Sequence, residues 1–148
     1  MQDLTVAAAR TERDQLAART DVLDKVGALR TLPDDMHVMT EQVAAFYDVD
    51  REAIASIVKR NREEFEEDGY RVVTRGAFEE RFTVNLSSRS ARVALFPRRA
   101  VLRMGMLLRD SDVARRVRDM LLDVEHEDVA LTEDEIVYRA LQIQGKKI

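Results

Sequence analysis

The sequence predicts a mainly α-helical fold with a small β-wing, arranged as a winged helix-turn-helix with flanking helices. Three observations lead to this prediction. Residues 40–59 have the spacing of two short helices joined by a tight turn. Residues 70–96 contain three short segments in which apolar and polar side chains alternate, as in strands. The segments before and after these regions carry apolar residues at helical spacing, which indicates flanking helices.

The amino-terminal segment is predicted to be helical from about residue 3 to residue 30. Apolar residues recur among charged ones, and Leu32-Pro33 ends the pattern. Thr20 followed by Asp21 is able to start a fresh helix, so one long helix and two shorter ones both remain open. We expect residues 1–33 to form an extension that supplies a dimer interface, unless the last helix does so. The candidate interface side chains are Leu16, Leu23, Val26 and Leu29.

Residues 40–59 place apolar side chains at the inward positions of a helix-turn-helix. Ala44 is small where the two helices should touch most closely. Asp48 begins the turn, where a left-handed backbone is usual and Asp tolerates it. We expect Thr40 to cap the first helix and Asp50 to cap the second. The inward side chains are Val43, Tyr47, Val49, Ile54 and Ile57.

The outward face of the second helix carries the candidate base contacts. In a helix-turn-helix that binds DNA, the second helix normally lies in the major groove. Arg51, Ser56 and Lys59 are predicted to contact bases, and Arg62 the phosphate backbone. Two short helices joined by a turn also serve as plain packing units, so the face and its charge must support the functional interpretation.

Three strands are predicted after the second helix, at residues 70–73, 82–86 and 92–96, with a turn at residues 74–76. A β-ribbon tipped by Arg and Ser would reach a phosphate backbone. Pro97 suits the first turn of a helix that runs to about Arg109, and Ser111 is placed to cap another. A capping box at residues 132–135 opens a last helix.

The positive charge is concentrated in the middle of the chain. Residues 1–50 have a net charge of −5, residues 51–109 of +5 and residues 110–148 of −4. Between Leu86 and Arg109 the chain has six arginines and no acidic residue. A basic stretch between acidic flanks is typical of a phosphate contact. The predicted backbone contacts are Arg62, Arg75, Arg89, Arg92, Arg98 and Arg99.

Neutralisation of these arginines within the chain is the competing interpretation. The acidic residues of the helix after Ser111 are candidates for this role, because they follow the arginines closely in sequence. The pairs would join Asp112, Asp119, Asp123 and Glu125 to Arg98, Arg99 and Arg103.

Composition argues against enzymatic and membrane classes. The chain has no cysteine, which excludes disulfides and cysteine-ligated zinc and suits a reducing cytoplasm. Its two histidines, His37 and His126, have no ligand spacing around them, and the five glycines form no phosphate loop. No apolar run approaches the ~20 residues of a membrane span. We therefore expect a cytoplasmic, nucleoid-associated protein with no catalytic residue, no metal and no cofactor.

Residues 21–127 resemble the amino-terminal domain of phage antirepressors and Rha-like regulators, near the KilA-N and Bro-N group. The resemblance rests on the Arg60-Asn61 pair, the DGYRV turn at residues 68–72, the PRRAVLR run and the RDSDVARRVRDMLLDVE helix. It implies a DNA-binding domain that precedes a separate carboxy-terminal domain, often after a coiled coil. The EIVYRALQIQGKK ending is similar to that connector.

Taken together, the pattern predicts a sequence-specific, double-stranded DNA-binding regulator of phage or prophage type that acts as a homodimer. Residues 34–128 would form the DNA-binding domain, and residues 129–148 a carboxy-terminal helix or connector. The alternative is a protein-interaction module that binds a repressor or another protein, as some antirepressors do.

Overall fold

The computed structural model of the protein describes residues 3–34, 36–82 and 90–123. A single 3₁₀ turn, Ala7–Ala9, precedes the first helix. The described α-helices are α1 (Arg10–Leu16), α2 (Asp21–Val26), α3 (Thr40–Tyr47), α4 (Arg51–Arg60), α5 (Arg62–Glu67), α6 (Arg75–Arg81), α7 (Arg98–Leu107) and α8 (residues 112–123). The strands are β1 (His37–Met39), β2 (Arg71–Thr74) and β3 (Arg92–Pro97). The fold is therefore mainly helical with a small sheet, as the sequence predicts.

The three strands form one antiparallel sheet in the order β1-β3-β2. β3 is central: Val38 lies opposite Phe96, and Val72 lies opposite Ala94. The predicted strands at 70–73 and 92–96 are confirmed to within one residue. β1 was not predicted, because its three residues are too few to show an alternating pattern. Only pairing with β3, far along the chain, makes it a strand.

The two helices of the predicted helix-turn-helix are present as α3 and α4. Asp48 adopts the left-handed conformation, with φ of 56°, and the Asp50 carboxylate caps α4 by accepting from the Ala53 N–H at 2.9 Å. The prediction that Thr40 caps α3 was wrong. Thr40 is the first helical residue, and Gln42 instead accepts from the Met39 N–H at 2.8 Å. A side chain three residues inside the helix therefore satisfies the donor that precedes it.

The connection from β2 to β3 contains a helix where the sequence predicted a turn. The Thr74 hydroxyl accepts from the Ala77 N–H at 3.1 Å and starts α6, so residues 74–76 are a helix cap. Phe78 and Phe82 are buried in a small cluster with Leu95 on one face of the sheet. Phe82 belongs to no strand, and the rest of the strand predicted at 82–86 lies outside the described residues.

The amino-terminal segment packs into the main core as two short helices, one of the two alternatives left open by the sequence. Leu16 and Leu23 are 5% and 0% exposed, in the same cluster as Tyr47 of α3. Val26 and Leu29 are partly buried against it. A second copy of the chain cannot reach Leu16 or Leu23 without opening this core, so these two side chains stabilise the folded protomer.

α7 and α8 complete the core around Tyr47. The Tyr47 hydroxyl donates to the Val101 carbonyl at 2.7 Å, and burial raises its pKa. A Cβ at Gly105 would lie 2.5 Å from that hydroxyl oxygen, so the close approach requires glycine. Ser111 caps α8 as predicted, because its hydroxyl accepts from the Ala114 N–H at 3.0 Å. The helix predicted from residue 132 lies outside the described residues. None of the described helices is long and apolar enough to cross a membrane.

Candidate nucleic-acid interface

A basic groove runs between α4 and the sheet. It encloses about 390 Å³. Arg51 and Lys59 are exposed on α4, and Arg62 follows at the start of α5. A fourth cation comes from the start of β3. The cations that line this basic groove are Arg51, Lys59, Arg62 and Arg92.

The floor of the basic groove is apolar. The sheet contributes Tyr70, Val72 and Phe96, and α4 contributes Ile54 and Val58. Val72 is 39% exposed, which is unusual for a large aliphatic side chain in this protein. An apolar floor below a cationic rim suits a polymer that carries both apolar surface and regularly spaced anions.

The four cations differ in their partners. Arg51 contacts the Glu41 carboxylate at 2.7 Å, and Arg62 contacts Glu66 at 3.6 Å. Both pairs are about half exposed, so they are weak and exchange easily with another anion. Lys59 and Arg92 have no carboxylate within 4.0 Å among the described residues. Their charges are therefore open to a ligand.

Ser56 does not lie with the other predicted base contacts. It is exposed on α4 but lines a second groove, on the side of the helix away from the sheet. Because each residue turns the helix by about 100°, the five residues from Arg51 to Ser56 leave the Ser56 side chain pointing well away from that of Arg51. The structure brings together Arg51, Lys59 and Arg62, and it separates Ser56 from them.

Two predicted backbone contacts, Arg98 and Arg99, are engaged within the chain. Arg98 donates to the Thr20 carbonyl and pairs with Asp24, both at 3.0 Å. Arg99 pairs with the buried Asp68 at 3.0 Å. The competing interpretation of internal neutralisation is therefore right in kind. Its choice of Asp112, Asp119 and Asp123 as partners was wrong for Arg98, Arg99 and Arg103, and Glu125 lies outside the described residues.

Arg75 and Arg89 complete the predicted set. Arg75 contacts Glu79 at 3.2 Å and donates to the Ser90 carbonyl at 3.3 Å, so it braces the two ends of the β2–β3 connection. Arg89 lies outside the described residues.

A buried ion network that was not predicted from the sequence lies behind α5. Arg103, 2% exposed, donates to Asp68 at 2.6 and 2.9 Å and to Glu64 at 2.9 Å. Arg13, also 2% exposed, donates to both Glu64 oxygens at 2.6 and 2.8 Å. Burial alone would lower the pKa of Arg103, but the hydrogen bonds and charge of Asp68 outweigh it and raise that pKa. Both guanidinium groups stay charged.

The sequence did carry a signal for this network. Arg103 stands alone among apolar residues in the stretch from Ala100 to Leu107, which is buried throughout. Arg13 likewise occupies the buried side of α1 with Leu16. A single arginine at a core position needs a buried carboxylate. The consecutive acidic residues of α5 were the candidates to supply it.

The described residues contain no group of three or more His, Asp or Glu side chains placed to hold a metal ion. Comparison with known proteins gave no match: no family model, no curated protein and no solved structure matches this chain.

Proposed function

We propose that the protein binds double-stranded DNA and regulates transcription, with α4 in the major groove and the basic groove holding the adjacent backbone. The observation that carries the proposal is the convergence of Arg51, Lys59, Arg62 and Arg92, with no acidic side chain among the groove's lining residues. Two of these cations are open, and the other two are held only by exposed carboxylates. Such a site favours a polyanion.

The proposal interprets the fold as a winged helix-turn-helix. Two features of the sheet support this interpretation. β1 directly precedes α3, and β2 and β3 follow α4, with the central strand β3 pairing with both others. The connection between β2 and β3 then takes the place of the wing. Its helix α6 packs through Phe78 on Val93 and Leu95, on the face of the sheet opposite to the one that lines the basic groove. In this interpretation α6 is an addition within the wing.

The proposed roles follow from each side chain's place. Arg51 and Lys59 contact base edges or the nearest phosphates, since both are exposed on α4. Arg62 and Arg92 contact the backbone from the two walls of the groove. A homodimer on a palindromic site would double the small footprint of one such domain. The same proposal includes a cytoplasmic, nucleoid-associated location and kinship with phage antirepressor and Rha-like domains.

A protein-interaction module is the second candidate, favoured by a specific observation. Glu52 is exposed on α4 next to Arg51 and would repel a phosphate backbone, whereas the exposed Glu63 of α5 contacts Arg10 at 3.5 Å. An acidic-and-basic face of this kind suits a protein partner with complementary charges. Under this alternative the partner would be a repressor or another regulatory protein.

The test is a salt series of binding to a randomised duplex pool, with the bound fraction sequenced. We expect enrichment of a palindrome and an affinity that falls steeply with salt. Arg51→Ala should lose about 1–3 kcal/mol of discrimination at one position of the enriched site. Absence of binding at low salt would overturn the DNA proposal and favour the protein partner. Tight binding without any enriched sequence would contradict sequence-specific regulation.

A further inference from the structure

A second groove lies on the opposite side of α4 from the basic groove. It is formed by the segment before α1, by α4 and by the end of α7, and it encloses about 540 Å³. This volume is within the range of small-molecule sites, about 300–1,000 Å³. The lining divides about evenly between aliphatic side chains and polar or charged ones. Small-molecule sites combine apolar surface with convergent polar groups. The aliphatic part consists of Ala7, Val49, Ala53, Ile57, Leu107 and Leu108.

The charged groups of this second groove leave an excess of positive charge. Arg60 and Arg109 line it, and neither has a carboxylate within 4.0 Å in the part of the chain that the structure describes. Arg13 also lines it, but Glu64 neutralises that side chain. Asp110 is the opposing carboxylate in the lining. Arg60 and Arg109 are the two cations of the lining that no described carboxylate holds directly.

Arg60 and Arg109 share the lack of a described carboxylate partner with several exposed arginines, but these two line the second groove. Most described arginines contact a carboxylate, including the buried Arg13 and Arg103. The Arg60 side chain makes only a long contact, 3.5 Å, with the Ser56 carbonyl. The Thr5 hydrogen bonds lower the pKa of Asp3 and the charge of Arg109 adds to this effect, so Asp3 is a competing anion near Arg109. The second groove therefore combines two guanidinium groups, those of Arg60 and Arg109, with an aliphatic surface.

From this combination we propose that the second groove binds a small monoanion with an apolar body, such as an aromatic or aliphatic carboxylate. The apolar body lies on Val49, Ala53 and Leu108, and the anionic head is held by Arg60 and Arg109. Burial of the body contributes roughly 25 cal/mol per Å² of apolar surface. The hydroxyl of Ser56, which also lines the groove, supplies a further hydrogen bond to the head.

The site is independent of DNA, so its test uses the free protein. Three probes separate the two parts of the ligand: benzoate has ring and charge, benzamide has the ring alone, and acetate has the charge alone. Amide chemical shifts report binding at Ala53, Ile57 and Leu108. We expect saturable shifts with benzoate, and affinities for benzamide and acetate that are lower by about tenfold or more.

Variants test the anchors. Arg60→Gln and Arg109→Gln should each weaken benzoate binding by about fivefold, within the range of a typical net hydrogen bond. Arg116→Gln is the matched control, because Arg116 is exposed on α8 and does not line the groove. The proposal is overturned by the absence of saturable shifts at millimolar benzoate. It is equally overturned by equal binding of acetate, or by equal effects of the control and the two anchor variants.

Discussion

The buried ion network and the basic groove both contain positively charged side chains, but these are paired in the network and in part open in the groove. In the network, Arg13 and Arg103 are 2% exposed and meet carboxylates at 2.6 to 2.9 Å. In the basic groove, Lys59 and Arg92 are exposed and have no carboxylate partner among the described residues. The difference shows that local positive charge predicts a phosphate contact only where the fold leaves that charge unpaired.

The network also explains why the amino-terminal segment is part of the domain. Arg103 of α7 reaches Asp14 of α1 at 2.8 Å, and Arg13 of α1 reaches Glu64 of α5. Arg13 further donates to the Leu4 carbonyl at 2.7 Å. These contacts join three separate parts of the chain behind α4. Breaking them should therefore change stability, whereas changing the groove cations should change binding.

The largest expected effect comes from removing one buried cation. Arg103→Met leaves Asp68 and Glu64 buried with one partner fewer, and we expect a loss of about 3–5 kcal/mol in the free energy of unfolding. Denaturant titration measures this loss. Arg71→Met is the matched control, because Arg71 is exposed and should change stability by less than about 0.5 kcal/mol. Equal stability of the two variants would contradict the difference drawn between the two regions.

A double variant sharpens the same comparison. Arg103→Met with Asp68→Met replaces the buried pair by apolar side chains, and stability should recover by more than half. Replacement of a whole buried pair is often neutral, whereas removal of one partner is not. If the second substitution makes the loss larger, the Asp68 carboxylate stabilises the fold through contacts other than Arg103.

Removing the open cations should affect binding alone. The double variant Lys59→Gln with Arg92→Gln should lower DNA affinity and reduce the salt dependence by about two units, since each phosphate contact contributes about 0.9. The melting temperature should stay within a degree or two, because neither side chain is buried or paired in the described part of the chain. Arg30→Gln with Arg116→Gln is the control of equal charge. An equal loss with the control would show that net charge, not the groove, drives binding.

The Asp34 side chain is 17% exposed, which is intermediate between the buried ion network and the exposed cations of the basic groove. Burial raises the pKa of Asp34, but hydrogen bonds from His37 and from the Met36 and His37 N–H groups outweigh it and lower that pKa to about 2. A folded pKa below the ordinary value of 3.8 means that Asp34 stabilises the fold above about pH 4. This contribution should be lost as the pH falls through 2. Thermal unfolding of Asp34→Asn between pH 5 and 2 should show a shallower decline than that of the original protein.

The smallest effect is expected at the rim of the basic groove. Glu41 holds Arg51 at 2.7 Å, so Glu41→Gln should free the arginine and raise DNA affinity a few-fold, in line with about 0.2–1 kcal/mol for an exposed pair. Glu80→Gln is the control, as an exposed carboxylate on α6 away from the groove lining. A gain no larger than that of the control would indicate that Arg51 makes no contact with DNA.

Elements set by neighbouring residues were predictable from the sequence. α3, its left-handed turn at Asp48, and the caps at Asp50 and Ser111 depend on side chains within about four residues of one another. α6 was missed because Thr74-Arg75-Gly76 is typical of a turn, whereas Thr74 caps a helix held by Phe78 against the sheet. β1 was missed because its pairing with β3 joins residues about 60 positions apart.

The candidate site was likewise predictable from the sequence only in part. Helical periodicity placed Arg51, Lys59 and Arg62 on one outward face, and all three line the basic groove, although Arg62 belongs to α5. Periodicity did not show that Ser56 falls into a different groove, because the boundaries of a groove are set by the elements that flank it. Nor did it show that Arg92 would lie across from Lys59, since that depends on how the sheet packs.

The sequence by itself determined the α3–α4 unit, the turn and cap between its two helices and the side chains of the unit that face the core, because these follow from backbone preferences and from the period of the helix. Only the tertiary structure decided which positive charges remain open. The partners of a buried arginine come from distant parts of the chain, as Arg103 and Asp14 are 89 residues apart. Desolvation and ion pairing act through space, so the same residue type stabilises the core at position 103 and stands exposed at position 92.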